Sequence, residues 1–310
     1  DSNIVNYGGR THIAYQSNES LGYHEPWPGP YGTGGKIKVI TYDHATQQWL
    51  GPFTVSEKPV YDEHGYPVLA VDSEGYLHIV YDGHQIPLKY KRSLRPNDAS
   101  EWTTAEEIGA KGAYPHLFVG AGDTLFLFYR ERGQYYDRWV EVMRTKPKGG
   151  SWSDSKTIID AQYIKNSTTN SWCPLVQKVH LGQDNVIYLT WSWREENVTD
   201  GRIVDVGFAK SSDYGETWTW ADGTPYSLPI TRNGTYERIW TGYYPSFHTT
   251  IASNKNGQVV ILLFEHDQAW HNSRIHQRLW NGSSWSSSII ASGILNANIM
   301  IDSSGVAHGL

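Results

Sequence analysis

The segment YDEHGYPVLAVDSEGYLHIVYDGHQIPLKYKRS, residues 61–93, decides how the rest of the chain is read. Val68, Ala70 and Asp72 alternate with Leu69 and Val71, the pattern of a two-faced strand, and Asp72-Ser73-Glu74-Gly75 is turn chemistry. Tyr76 to Tyr81 runs back as a second strand, and Pro87 to Lys91 forms a third. Antiparallel pairing sets the start of the first strand beside the end of the second. His64 and His84 therefore meet at one edge of the sheet despite their separation in sequence. Two solvated loop histidines are the plain alternative.

The unit recurs, and recurrence gives the pair its weight. A proline after an aromatic or a cysteine opens a strand at Tyr66-Pro67, Tyr114-Pro115, Cys173-Pro174 and Tyr244-Pro245. Each is followed by a Gly/Asp/Asn turn and then a strongly apolar strand: LHIVY, TLFLFY, VIYLTWSW and VVILLF. A third strand follows, and then a tryptophan after a polar turn, at Trp49, Trp102, Trp152, Trp218 and Trp285. These tryptophans recur every 50 to 67 residues, the spacing of four-stranded propeller blades with generous loops. The segment Ser211-Ser-Asp213-Tyr-Gly215-Glu-Thr217-Trp218 matches the Asp-box, S-x-D-x-G-x-T-W. In that turn the Asp accepts from backbone N–H groups, Gly takes a positive φ and Trp packs between blades. It is a signal of fold, not of catalysis. The fold expected is all-β, a β-propeller of four-stranded antiparallel blades, with about five blades and a partial one present.

Composition agrees. Aromatics make up 14% of the 310 residues, with 14 Trp, 21 Tyr and 30 Gly, but only two Met, which favours many short strands and turns over helices. No stretch is long and apolar enough to span a membrane. A net charge of −6 argues against a general nucleic-acid binder, while leaving room for an anionic ligand held by local arginines. One cysteine permits no internal disulfide framework.

The ends bear on domain organisation. Residues 5–55 read as the later strands of a blade without an obvious first strand, and residues 296–310 read as a first strand and turn that break off. A closing tail in a five-bladed ring competes with a piece of a longer propeller. We read residues 1–310 as a single propeller domain, truncated at one or both ends.

In a propeller, the start of each blade's first strand and the end of its second share the ligand-binding face. Those positions hold His64, His84 and Asp82, then Tyr114, His116, Tyr129, Arg130 and Arg132, with Tyr135, Tyr136 and Arg138 just beyond. Farther along come Trp172, Cys173, Trp193, Arg194 and Glu195, and then Tyr243, Tyr244, Glu265 and His266. Aromatic rings stack on sugar faces, and guanidinium forks hold carboxylate or sulfate, so the candidate ligand is an anionic sugar polymer. Plain alternatives stand beside these: Tyr66 and Tyr114 as repeat packing residues, Tyr129 as a packed aromatic or a catalytic phenol, and the arginines of YRERGQYYDR as a solvated loop. Cys173 reads as a small buried residue, since no second Cys or spaced His set accompanies it. His180 and His248 fall inside strands.

The run HGYPVLAVDSEGYLHIVYDGHQIPLKYKRS, the unit YPHLF…LFLFYRERG and the segment VIYLTWSWREENVTDGRIVDVGFAKSSDYGETW resemble the BNR-repeat propellers that include ulvan lyases of polysaccharide lyase families 24 and 25. The resemblance runs from about residue 35 to about residue 290. Its most specific parts are DGH-x-x-PL-x-Y-x-R-S and WSWRE…SSDYGETW. Members of that group are seven-bladed, which again implies a truncated chain. The resemblance implies β-elimination on a sulfated, uronate-containing polysaccharide, using two histidines, a tyrosine on the next blade and a charge-neutralising arginine. His64 and His84 fit the histidines and Tyr129 the tyrosine. Arg138 is the choice for the arginine, placed at the ligand face, although Arg144 lies closer to the implied spacing. Arg130, Arg132, Arg144, Trp193, Arg194 and Tyr244 are the candidate substrate-binding residues.

Two rivals remain: a sialidase-like glycoside hydrolase and a carbohydrate-binding propeller without catalysis. The hydrolase wants paired carboxylates, or a tyrosine nucleophile with an arginine triad, and the arginines here are scattered. The lyase chemistry requires no cofactor, and no clear ligand cluster supports a structural calcium or zinc ion. The expected partner is an anionic polysaccharide, with no nucleic acid and no membrane. The expected state is a monomer, secreted or periplasmic, its signal peptide outside this sequence.

Overall fold

The computed structural model describes residues 3–18, 35–58, 63–84, 86–132, 139–163, 171–195, 202–243, 245–266, 273–293, 299–301 and 307–309. Strands follow one another in chain order. The first sheet is β1 (Ile4–Tyr7), β2 (Arg10–Asn18), β3 (Gly35–Asp43) and β4 (Gln48–Lys58). The second is β5 (Val68–Val71), β6 (Leu77–Asp82), β7 (Leu88–Arg95) and β8 (Asp98–Trp102), with β9 (Glu106–Ile108) also paired to β7. The third is β10 (Gly112–Val119), β11 (Leu125–Arg132), β12 (Trp139–Lys146) and β13 (Lys156–Ile159). The fourth is β14 (Trp172–Leu181), β15 (Ile187–Glu195), β16 (Ile203–Ser211) and β17 (Glu237–Tyr243). The fifth is β18 (Pro245–Ser253), β19 (Val259–His266), β20 (Ser273–Trp280) and β21 (Trp285–Ser292), and a short pair, β22 (Ile299–Ile301) with β23 (Ala307–Gly309), follows. This is the all-β, propeller-class architecture that the repeat predicts.

One expectation is corrected. The first sheet has its own first strand, β1, paired residue by residue from Ile4↔Ile13 to Tyr7↔Arg10. It is only four residues long and its side chains are exposed or half-buried, so it carries no strong apolar signal. The described chain divides into two compact units, residues 1–134 with 143–155, and residues 135–142 with 156–310.

In the first unit, alternation along β3 and β6 builds the core. Ala14, Ile37, Val39 and Val55 of the first sheet close on Leu69, Leu77, Ile79 and Tyr81 of the second. Burying side chains of this size contributes about 1.5–3 kcal/mol each. The turn that reverses the chain between β5 and β6 is held by Asp72, whose carboxylate accepts from the N–H groups of Glu74 (3.1 Å) and Tyr76 (2.8 Å).

In the second unit the equivalent core joins Tyr188, Val206, Phe208 and Trp240 to Ile251, Ile261, Leu263 and Trp280. The turn at residues 211–218 repeats the acidic logic. Asp213 accepts from the Thr217 N–H at 2.9 Å, Gly215 donates to the Ser211 hydroxyl at 2.7 Å, and the Trp218 indole donates to the Gly215 carbonyl at 3.2 Å. Trp218 is buried, whereas Trp49 is 56% exposed, so the recurring tryptophans do not share one role. No helix among the described residues is long and apolar enough to cross a membrane.

Candidate active site

His64 lies in a single 3-10 turn, Glu63–Gly65, just before β5. Gly65 is what allows the turn to close: a Cβ there would collide with the backbone carbonyl of Asp82 at the end of β6. His84 follows Asp82 and Gly83, and Asp82 and His84 both take left-handed backbone, with φ of 69° and 72°. For side-chain-bearing residues that geometry costs about 1–2 kcal/mol each, and such strain tends to gather where a site is being aimed. The His84 N–H donates to the Gly112 carbonyl at the start of β10, fixing the loop to the third sheet.

The result is a stacked histidine pair. The imidazoles of His64 and His84 lie 3.8 Å apart and within 6° of parallel, and both are half-buried. Tyr114 approaches His64 at 5.2 Å. A register shift between Ala113 and His116 bulges β10 against β11, and Tyr114 sits in it with φ of 55°. A bulge re-aims a side chain in this way. The Arg130 guanidinium lies 4.9 Å from the Tyr114 ring, and Arg130 is buried. Beside them, burial lowers the His116 imidazole to about 4.

Tyr129 and Arg130 are consecutive on β11 and so project to opposite faces of the strand. Tyr129 belongs to a second cluster. Its hydroxyl donates to Glu131 Oε1 at 2.9 Å and accepts from Arg144 Nε at 2.8 Å. Arg144 Nη2 lies 3.5 Å from the same Glu131 oxygen, and Nη1 donates to the Ser153 carbonyl at 2.7 Å. Burial first, and the Glu131 charge second, push the phenol upward and keep it protonated. The clusters adjoin through Gly112, the residue bonded to His84, because a Cβ on Gly112 would lie 3.1 Å from the Tyr129 ring. The hydroxyl edge is bounded by Gly109, where a Cβ would come within 2.7 Å of the phenolic oxygen.

The remaining candidates scatter. Arg138, Tyr135, Tyr136 and Tyr244 lie outside the described residues. Arg132 is half-buried and its backbone N–H donates to Lys111. Arg194 is half-buried on β15 and faces Cys173 and Ile203 in register. Trp193 is enclosed against Trp191 and Tyr236 with no exposed surface, so its ring is a packing element and presents no face to a sugar. Tyr114, a ligand-face position for which repeat packing was the plain alternative, lies against His64. Glu131 carried no signal in the sequence.

A cleft of about 440 Å³ lies elsewhere in the first unit, toward the β5–β6 and β10–β11 turns, and its lining includes Asp72, His78, Tyr90 and Lys146. Its buried histidine is a clamp. His78 Nδ1 lies 2.7 Å from the Tyr90 hydroxyl, and Nε2 lies 3.2 Å from Asp72. Cavity size alone therefore does not mark the chemistry here. Among the described residues no three His, Cys, Asp or Glu side chains converge as a metal-binding set.

Among curated proteins, the chain is 28% identical over 218 residues to the ulvan lyase of Nonlabens ulvanivorans, covering 59% of this chain and 43% of that protein. It is 24% identical over 321 residues to "Ulvan Lyase-PL25" of Pseudoalteromonas sp. (strain PLSV), covering 91% of this chain and 62% of the relative. The chain thus spans roughly half the length of the curated relatives it matches. A solved polysaccharide lyase structure, also described as a PL25 ulvan lyase, superposes with a TM-score of 0.71 at 20% identity, over 96% of this chain and 73% of that one. That likeness shows a shared fold. The model of the BNR repeat-containing family matches residues 29–292, and the chain belongs to that family.

Proposed function

We propose that this chain carries the catalytic site of a polysaccharide lyase that cleaves a sulfated, uronate-containing polymer of the ulvan type by β-elimination. The observation that carries the reading is the stacked, half-buried His64–His84 pair, held by strained backbone and flanked by a phenol and a guanidinium. The names of the curated relatives support it.

The chemistry asks for three groups. A base removes the C5 proton of the uronate, and the adjacent carboxylate must be neutralised so that the carbanion can delocalise as an enolate-like state. An acid then protonates O4 as the C4–O4 bond breaks, and a C4–C5 double bond remains. An imidazole of the His64–His84 pair fits the base. Tyr129 is fully buried and is kept protonated by burial and Glu131; it fits the acid and not the base, and in this proposal substrate binding opens its hydroxyl edge to O4. The carboxylate, the C5 proton and O4 lie on neighbouring atoms, so the neutralising arginine belongs beside a proton-transfer residue. Arg144 touches the Tyr129 oxygen and takes that role in this proposal. The substrate is too large to enter a cell, so in this proposal the protein acts outside the cytoplasm; the elimination needs no cofactor, and the proposed working unit is the monomer.

The test is incubation with ulvan while the ultraviolet absorbance of the unsaturated uronate is followed. A steady rise that disappears in His84→Ala supports the lyase. New reducing ends without that absorbance mean hydrolysis, and intact binding without either means a carbohydrate-binding protein; each outcome refutes the proposal.

A further inference from the structure

The second unit contains a pocket of about 250 Å³ that the His64–His84 chemistry does not use. Trp172, Arg202, Asp205, Arg232 and Thr241 line it. Trp172 begins β14, Arg202 immediately precedes β16 and Thr241 lies near the end of β17. The pairs Trp172↔Glu195, Arg194↔Ile203 and Val204↔Tyr243 place these positions at one end of the fourth sheet. Arg232 arrives from the long connection between β16 and β17.

The state of Arg232 is what points to a ligand. Its guanidinium lies over the Trp172 indole at 5.1 Å, and its buried Nε has no hydrogen-bond partner among the described residues. The nearby carboxylates are engaged by other groups. Asp205 accepts from the Tyr236 hydroxyl at 2.9 Å and pairs with Arg238 at 3.5 Å. Glu195 takes Arg202 at 2.7 Å. Among these described residues, Arg202 and Arg238 take the two carboxylates, and neither carboxylate is paired with Arg232. A guanidinium over an indole is held by a cation–π contact, and its N–H fork suits a carboxylate or a sulfate. The indole supplies apolar surface and Thr241 a hydroxyl, the combination that a sugar ring bearing one anionic group requires.

We propose that this pocket binds an anionic pyranose through its sulfate ester or carboxylate, with Arg232 as the principal anchor. The choice of a sugar rests on the polysaccharide reading above; the oxyanion preference rests on the pocket alone. The pocket is a binding site and takes no part in proton transfer.

The experiment is a ligand-observed NMR titration of the His84→Ala protein with glucose 6-sulfate and with glucuronate, using glucose and inorganic sulfate as controls. At least one anionic sugar should bind about tenfold more tightly than either control, and Arg232→Gln should remove at least that factor. Arg232→Lys, which keeps the charge but loses the planar fork, should weaken binding as well, and it decides the matter if the glutamine variant fails a thermal-melt check. Unchanged binding in the folded Arg232 variants overturns the proposal, as does inorganic sulfate binding as tightly as the sulfated sugar. Because nothing is cleaved in this assay, a protein that binds but never cleaves ulvan refutes only the lyase reading. A protein that cleaves ulvan while the pocket ignores both sugars refutes only this one.

Discussion

The imidazoles of His64 and His84 lie face to face at 3.8 Å, although one belongs to a 3-10 turn before β5 and the other to the loop after β6. The stack fixes the two rings edge beside edge, so that moving one displaces the other. Replacing either ring by alanine removes both the base and its neighbour's packing surface. His64→Ala and His84→Ala should each lower kcat by roughly 10²–10⁴, read as the initial rate of unsaturated-uronate formation from ulvan. Activity within a factor of a few of the parent in both would remove the pair from the reaction.

Tyr129 gives a sharper separation of roles. Tyr129→Phe deletes the hydroxyl that joins Glu131 to Arg144. A drop in kcat of roughly 10²–10⁴ with KM nearly unchanged is expected if the phenol protonates the leaving oxygen. The same change leaves a half-buried carboxylate and guanidinium short of a partner, at about 1–3 kcal/mol of stability. Arg144→Gln should also lower kcat, whereas Arg138→Gln should not if Arg144 is the neutralising group. The reverse pattern would reinstate Arg138.

How much of this was legible in the sequence depends on the range of the interactions. The β5–β6 hairpin was readable because alternation and the Asp72 turn are local, and antiparallel pairing then carries His64 to His84. The first strand was not, because Ile4–Tyr7 buries little. The choice between packing and site for Tyr114 was not legible, because its direction comes from a bulge and a positive φ, which residue types do not encode. Trp193 looked like a rim aromatic, but it is enclosed by Tyr236, more than forty positions away in the chain. Glu131 gains its meaning only from Arg144, on another strand.

Gly65 tests whether the pairing itself matters. A methyl group at this position would strike the Asp82 carbonyl, and backbone atoms cannot step aside as a flexible side chain can. Gly65→Ala should push the His64 turn away from β6 while leaving the sheet intact. The expected result is a loss of activity of at least about tenfold, in keeping with the sensitivity of catalysis to small misplacements. Circular dichroism and the melting midpoint should change far less than the rate. Full activity in this variant would show that the 3.8 Å stack is not required.

Buried histidines set the response to acid. His116 in the first unit and His180 in the second are each lowered from 6.5 to about 4, by burial in both cases and by Lys178 as a further cause for His180. The folded state therefore takes up these protons less readily than the unfolded chain. Their contribution to stability is fully present above about 6.5 and is lost as pH falls through about 4. Each is worth on the order of 3 kcal/mol across that window. His12 and His78 are lowered by burial too and add to the same slope. The urea midpoint should fall steadily over this range, and His116→Asn should flatten part of the slope while costing some stability at neutral pH. A midpoint that stays level through the window would mean that these rings are charged, or open to water, in the folded protein.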